Sequence, residues 1–76
     1  MELKTFIENL ASQFDETDTN VFQSNTKFKD LPEWSSLIAL SVIAMIDEEY
    51  EVKIKGDDIR NSSTIEDLYE VVKSRL

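Results

Sequence analysis

The segment at residues 34–50 reads WSSLIALSVIAMIDEEY and contains the longest apolar run of the chain, Leu37–Ile46, which is broken by a single serine. The chain has one Gly and one Pro in 76 residues, so it has few of the turn-forming residues that β-hairpins need. A serine directly before an apolar run is a favoured helix N-cap. We therefore predict a helix that begins at Ser35 or Ser36 and continues to Tyr50.

Two amphipathic stripes flank this segment. Apolar residues spaced by three and four predict a helix from Glu2 to Phe14 on the N-terminal side. On the C-terminal side Ser63 and Glu66 have the spacing of a capping box, as Thr64 and Asp67 have less strictly. The apolar stripe of that last helix consists of Ile65, Leu68, Tyr69, Val72 and Leu76.

The remaining segments are connections. Residues 15–34 form a long loop, and its apolar residues should hold it across the helices: Val21, Phe22, Phe28, Leu31 and Trp34. A short helical turn is expected around residues 56–59. Val52 and Ile54 alternate like a strand, but a single strand has no partner here. The sequence therefore predicts an all-α fold, a small helical bundle of three main helices and one short helix.

At 100° per residue, the central helix can be divided into an inner and an outer face. We predict a joint core formed by Phe6, Ile7, Leu10, Ile43, Ile46, Tyr50, Ile54, Leu68 and Val72. The outer face would carry Leu37, Ser41, Ala44 and Glu48, with Ile38 and Met45 on one flank and Leu40 on the other. Contiguous apolar residues on an exposed face usually mark a partner site.

Within this pattern, Ser36-Leu37 at the start of the central helix resembles the attachment motif of the acyl carrier protein family. The likeness extends through residues 46–54 (IDEEYEVKI) and through Thr64–Leu68 (TIEDL), and it covers almost the whole chain as a single carrier domain, residues 1–76. The family has Asp before the modified serine, whereas this chain has Ser35. It also often places acids where this chain has Ile38 and Ser41.

The resemblance implies that Ser36 carries 4′-phosphopantetheine, taken from coenzyme A by a phosphopantetheinyl transferase. The arm would hold acyl intermediates as thioesters for enzymes of fatty acid, polyketide or related biosynthesis. Docking on those enzymes would use an outer surface formed by Leu37, Ile38, Leu40, Met45, Asp47, Glu48 and Glu51. Trp34 would anchor the long loop or form a wall of the attachment site.

Composition narrows the classes of function. The net charge of −8 disfavours nucleic acid and anionic membranes and favours a partner with a basic docking patch. Cys and His are both absent, so the commonest general base and the thiol nucleophile are missing. We expect a monomeric cytoplasmic protein that is not an enzyme and has no metal site and no membrane-inserted segment.

The sequence leaves two alternatives open. Ser36 could serve only as a helix cap beside Ser35, in which case the protein would be an interaction module without an arm. A small carboxylate-based enzyme is the other alternative, but no pair of acids is placed by the sequence in a common cleft. The acids Asp15, Asp18, Asp57 and Asp58 lack the order of a calcium loop, so we interpret them as solvated turn residues.

Overall fold

The fold consists of four helices in a computed structural model that describes residues 1–76. They are α1 (Leu3–Ala11), α2 (Ser36–Tyr50), α3 (Gly56–Arg60) and α4 (Ile65–Lys73). Two single-turn 3₁₀ helices, Thr19–Val21 and Phe28–Asp30, lie in the connection between α1 and α2. No residue is in a β-strand, which confirms the all-α prediction with three main helices and one short one. No helix combines the length and the apolar content that a bilayer crossing requires.

The core lies where α1, α2 and α4 meet. The Phe6 side chain is fully buried at its centre, and its ring centroid is 5.8 Å from that of Tyr50 and 5.7 Å from that of Tyr69. Most of the predicted core is buried, namely Phe6, Leu10, Ile46, Ile54, Leu68 and Val72. The other three predicted members, Ile7, Ile43 and Tyr50, are half-buried against this core.

The prediction that α1 reaches Phe14 is wrong by one turn. The Ser12 hydroxyl and the Gln13 side-chain amide both donate to the Asn9 carbonyl. Side chains of this kind compete with the helical hydrogen bonds. The chain consequently leaves α1 after Ala11 through tighter turns, although Phe14 is still buried.

Aromatic packing holds the long connection against the helices. Phe22 and Phe28 are buried as predicted, whereas Val21 is exposed. The Trp34 ring centroid is 6.2 Å from that of Phe14 and 5.3 Å from that of Phe28. Trp34 is therefore an anchor of the loop, and it lies two residues before Ser36.

A single carboxylate closes the turn that follows α1. Glu33 accepts hydrogen bonds from the Asp15 amide at 2.7 Å, the Glu16 amide at 3.1 Å and the Thr17 hydroxyl at 2.7 Å. The Thr17 hydroxyl, helped by these amides, holds the pKa of Glu33 below its ordinary value. Glu33 thus fixes the loop beside Trp34.

The structure corrects the rotation predicted for α2. Its buried residues are Val42, Met45 and Ile46, so the inner face is centred about one residue away from Ile43. Met45 is only 7% exposed and belongs to the core, which makes the prediction of an exposed Met45 wrong. The physical reason is that α2 is apolar on nearly every side, so the sequence pattern alone does not fix which side faces inward.

Polar contacts hold α3 and the start of α4 in place. Arg75 donates to both carboxylate oxygens of Asp58, at 2.9 and 2.6 Å, and Asp58 also accepts from the Lys55 amide. Asp58 is therefore a bonded structural residue, unlike the solvated turn acid expected from the sequence. The capping box of α4 is formed by Thr64 and Asp67.

Candidate functional site

Two adjacent serines at the start of α2 have different roles. The Ser35 backbone is extended, and its hydroxyl accepts the Ile38 amide at 3.3 Å, so Ser35 is the N-cap. Ser36 is the first helical residue, its side chain is exposed, and its hydroxyl makes no hydrogen bond in the structure. The cap is thus supplied without Ser36, whose hydroxyl is accessible to another protein.

The N-terminal end of α2 favours a negative group on Ser36. The amides of the first helical turn have no intrahelical partner, and the aligned peptide dipoles place partial positive charge at this end. The first turn of α2 contains no acidic side chain that could offset this charge. A phosphate attached to Ser36 would therefore lie where a helix terminus stabilises an anion.

A groove of about 500 Å³ opens beside Ser36, between α2 and α3. Its apolar lining comes from α2, α3 and the loop anchor: Trp34, Ala39, Leu40, Ile43 and Ile59. Ser36, Gly56, Lys29 and Arg60 complete the lining. Trp34 consequently contributes to a wall of the site as well as anchoring the loop.

Two exposed leucines lie on α2. Leu37 is 74% exposed and Leu40 is 63% exposed, and they lie one helical turn apart on α2. Ile38 is half-buried against the core, so it is less available than the sequence suggested. Together with the burial of Met45, this leaves Leu37 and Leu40 as the apolar part of the predicted docking surface.

The acidic part of that surface lies at the other end of α2. Asp47, Glu48 and Glu51 are all exposed. Glu51 has a left-handed backbone with φ of 55°, and its amide donates to the Asp47 carbonyl at 2.9 Å. This is a helix-ending geometry in which glycine is the usual residue. Asp47, Glu48 and Glu51 therefore give α2 a negative C-terminal end, where the helix dipole favours cations.

Sequence reasoning missed Lys29, Ile59 and Arg60, all of which line the groove. They come from two segments that are distant along the chain, and no periodicity or motif connects them with Ser36. The sequence offered one signal. The chain has only 8 basic residues against 16 acidic ones, so each basic residue was worth considering as a binding residue.

The candidate site combines three features. It presents a free hydroxyl at a helix N-terminus, an adjoining groove with an apolar lining, and an exposed apolar pair on the same helix. This arrangement can accept a covalent group and shelter part of it. Comparison of the chain with protein-family models, with curated proteins and with solved structures finds no match.

Proposed function

We propose that this protein is an acyl carrier, which holds acyl intermediates as thioesters on a 4′-phosphopantetheine arm attached to Ser36. The observation that carries the proposal is the division of roles between the two serines. Ser35 caps α2, whereas the Ser36 hydroxyl is exposed and makes no hydrogen bond. Because Ser35 supplies the cap, capping gives no role to Ser36, and its hydroxyl is free to carry a group.

Attachment of the arm uses groups that are present at this end of α2. The Ser36 hydroxyl oxygen would lose its proton and bond to the phosphopantetheine phosphorus of coenzyme A, with the nucleotide part as the leaving group. The partial positive charge of the helix N-terminus stabilises the resulting phosphodiester. The reactive thiol belongs to the arm, so the chain needs no Cys or His of its own, in line with its composition.

The exposed part of α2 supports a role in docking on partner enzymes. Leu37 and Leu40 supply apolar contact area beside Ser36, and the acids at the far end of the helix would attract a basic patch. The partners are a phosphopantetheinyl transferase and enzymes that load or process the acyl group. The pathway could be fatty acid, polyketide or related biosynthesis in the cytoplasm.

Transfer from coenzyme A by a phosphopantetheinyl transferase tests the proposal. The intact mass of the purified chain should rise by one phosphopantetheine, and Ser36→Ala should abolish the rise. Ser35→Ala is the matched control, because it removes the neighbouring hydroxyl and should still be modified. A modification that persists in Ser36→Ala, or that maps to Ser35, contradicts the proposal.

An interaction module without an arm is the second candidate. The exposure of Leu37 and Leu40 supports it equally well, since both functions use an apolar docking surface. Carrier proteins have Asp where this chain has Ser35, and this difference also favours an interaction module. A chain that resists several transferases of different specificity, yet still binds a protein through α2, would be such a module.

A further inference from the structure

The groove beside Ser36 differs in charge from the rest of the surface. Five surface grooves are present, and this one alone is lined by basic side chains and by no acidic side chain. The chain as a whole has a net charge of −8, with twice as many acids as bases. Basic side chains at a groove of this size would favour an occupant that carries negative charge.

The two basic residues of the groove, Lys29 and Arg60, are linked through the Arg60 backbone. Lys29 Nζ donates to the Arg60 carbonyl at 2.9 Å, which fixes the ammonium group at the end of α3. An ammonium has three donors, so two remain for a ligand. Arg60 forms an exposed ion pair with Asp57, and the guanidinium keeps further donors.

We propose that Lys29 and Arg60 form a phosphate-binding pair that holds the phosphodiester of an arm on Ser36 at this groove. This assignment rests on the proposed function, because it takes the arm as the occupant. The phosphodiester is the anion attached at Ser36, which itself lines the groove. Once the phosphodiester is held there, the apolar lining of the groove, which includes Trp34 and Ile59, can receive the uncharged remainder of the arm.

The pair gives the groove a preference that an apolar lining alone lacks. The apolar lining, which includes Trp34, Ala39 and Ile43, contacts the uncharged part of a ligand. It does not distinguish a ligand with a phosphate group from one without. Charge-assisted hydrogen bonds from Lys29 and Arg60 distinguish a phosphate ester from its neutral counterpart. Phosphopantetheine should therefore bind to the unmodified protein more tightly than pantetheine does.

Fluorescence of Trp34, the single Trp of the chain, reports on the groove directly. The unmodified protein is titrated at low salt with free 4′-phosphopantetheine, with pantetheine and with inorganic phosphate alone. We expect phosphopantetheine to bind about tenfold more tightly than pantetheine, as for one or two charge-assisted hydrogen bonds at a partly exposed site. Inorganic phosphate should bind far more weakly, because it has no apolar part.

Three variants identify the residues responsible. Lys29→Gln and Arg60→Gln should each remove most of the tenfold preference, whereas Lys53→Gln, an exposed lysine outside the groove, should keep it. Lys29→Gln also removes the bond to the Arg60 carbonyl and could alter the fold. In that event Arg60→Gln decides, because its ion pair is exposed on both sides.

Equal affinity for phosphopantetheine and pantetheine overturns the inference, as does a preference that survives in Arg60→Gln. The outcome is separable from that of the proposed function. Modification of Ser36 without any phosphate preference would mean that the carrier function stands and the binding pair does not. A phosphate preference in a chain that no transferase modifies would mean that the pair binds a phosphate ester, but not one attached to Ser36.

Discussion

The start of α2 depends on which of two identical side chains caps the helix. The resemblance to carrier proteins made Ser36 the candidate attachment residue. Because both serines satisfy the sequence pattern for an N-cap, the sequence could not show that Ser36 is free of the cap. The structure starts the helix at Ser36 and gives the cap to Ser35. If the helix started one residue later, Ser36 would be the N-cap and its hydroxyl would no longer be free.

The two serines should therefore differ in their effect on stability. Ser35→Ala should lower the free energy of unfolding by about 1 kcal/mol, because it removes a capping acceptor. Ser36→Ala should change it by less than about 0.5 kcal/mol, as for an exposed side chain without partners. Urea denaturation followed by circular dichroism measures both. If Ser36→Ala is as destabilising as Ser35→Ala, Ser36 is a structural residue.

Among the helices, α2 marks the limit of what the sequence could predict. The helix itself and its C-terminal end at Tyr50 agree with the prediction. Its rotation does not, because a helix that is apolar almost all round has no single stripe to orient it. Met45 is buried in the core whereas Ile43 is half-buried against it. Which side of α2 is covered depends on its packing against other elements such as α1, and that packing is not encoded in α2 alone.

The rotation of α2 predicts opposite behaviour for two of its apolar residues. Met45→Ala should lower the free energy of unfolding by about 2–5 kcal/mol, since it leaves a cavity in the core. Leu40→Ala should change it by no more than about 0.5 kcal/mol, because Leu40 is 63% exposed. Thermal and urea unfolding measure the difference. Equal losses in the two variants would contradict the rotation described here.

The two ends of α2 should contribute differently to partner binding. Glu48→Lys should slow association with a basic transferase by about three- to tenfold at low salt, since charges at a rim steer the encounter. Added salt should shrink the effect. Leu37→Ala should instead speed dissociation with little dependence on salt, as for an apolar anchor. Stopped-flow or surface-plasmon kinetics measures both rates.

The control for this prediction is Glu70→Lys on α4, which makes the same change in net charge at an exposed position away from α2. It should alter association much less than Glu48→Lys. If the two variants slow association equally, the effect comes from total charge and α2 is not the docking element.

The helical bundle could be predicted from the sequence, and the groove beside Ser36 could not. Helix periodicity reports on one element at a time, and it gave the number and order of the helices. The groove combines the second 3₁₀ helix, α2 and α3 with Trp34. Its basic lining exists only once residues 29 and 60 have been brought together by folding.

Acid should weaken the attachment of the long connection. The Thr17 hydroxyl and two amides lower the pKa of Glu33, so its bonds stabilise the folded state fully above the ordinary value of 4.5. This stabilisation is lost as the pH falls through the lowered folded-state pKa. Glu33→Gln should therefore be less stable than the parent at neutral pH, with a gap that narrows below about pH 4.5.

Unfolding by urea at a series of pH values, for the parent and Glu33→Gln side by side, measures that gap. The comparison cancels the change in overall charge repulsion, which affects both proteins similarly. A gap that stays constant from neutral to acid pH would mean that the Glu33 carboxylate does not hold the turn.

Mass analysis of the protein purified from its own cells shows whether Ser36 carries the arm. Cleavage after Lys and Arg yields a peptide of residues 30–53, which contains Ser35, Ser36 and Ser41 and can be fragmented to locate a modification. We predict that this peptide carries phosphopantetheine, free or acylated, on Ser36. A peptide that is wholly unmodified, or that carries the group on Ser35 or Ser41, would contradict the carrier function assigned to Ser36.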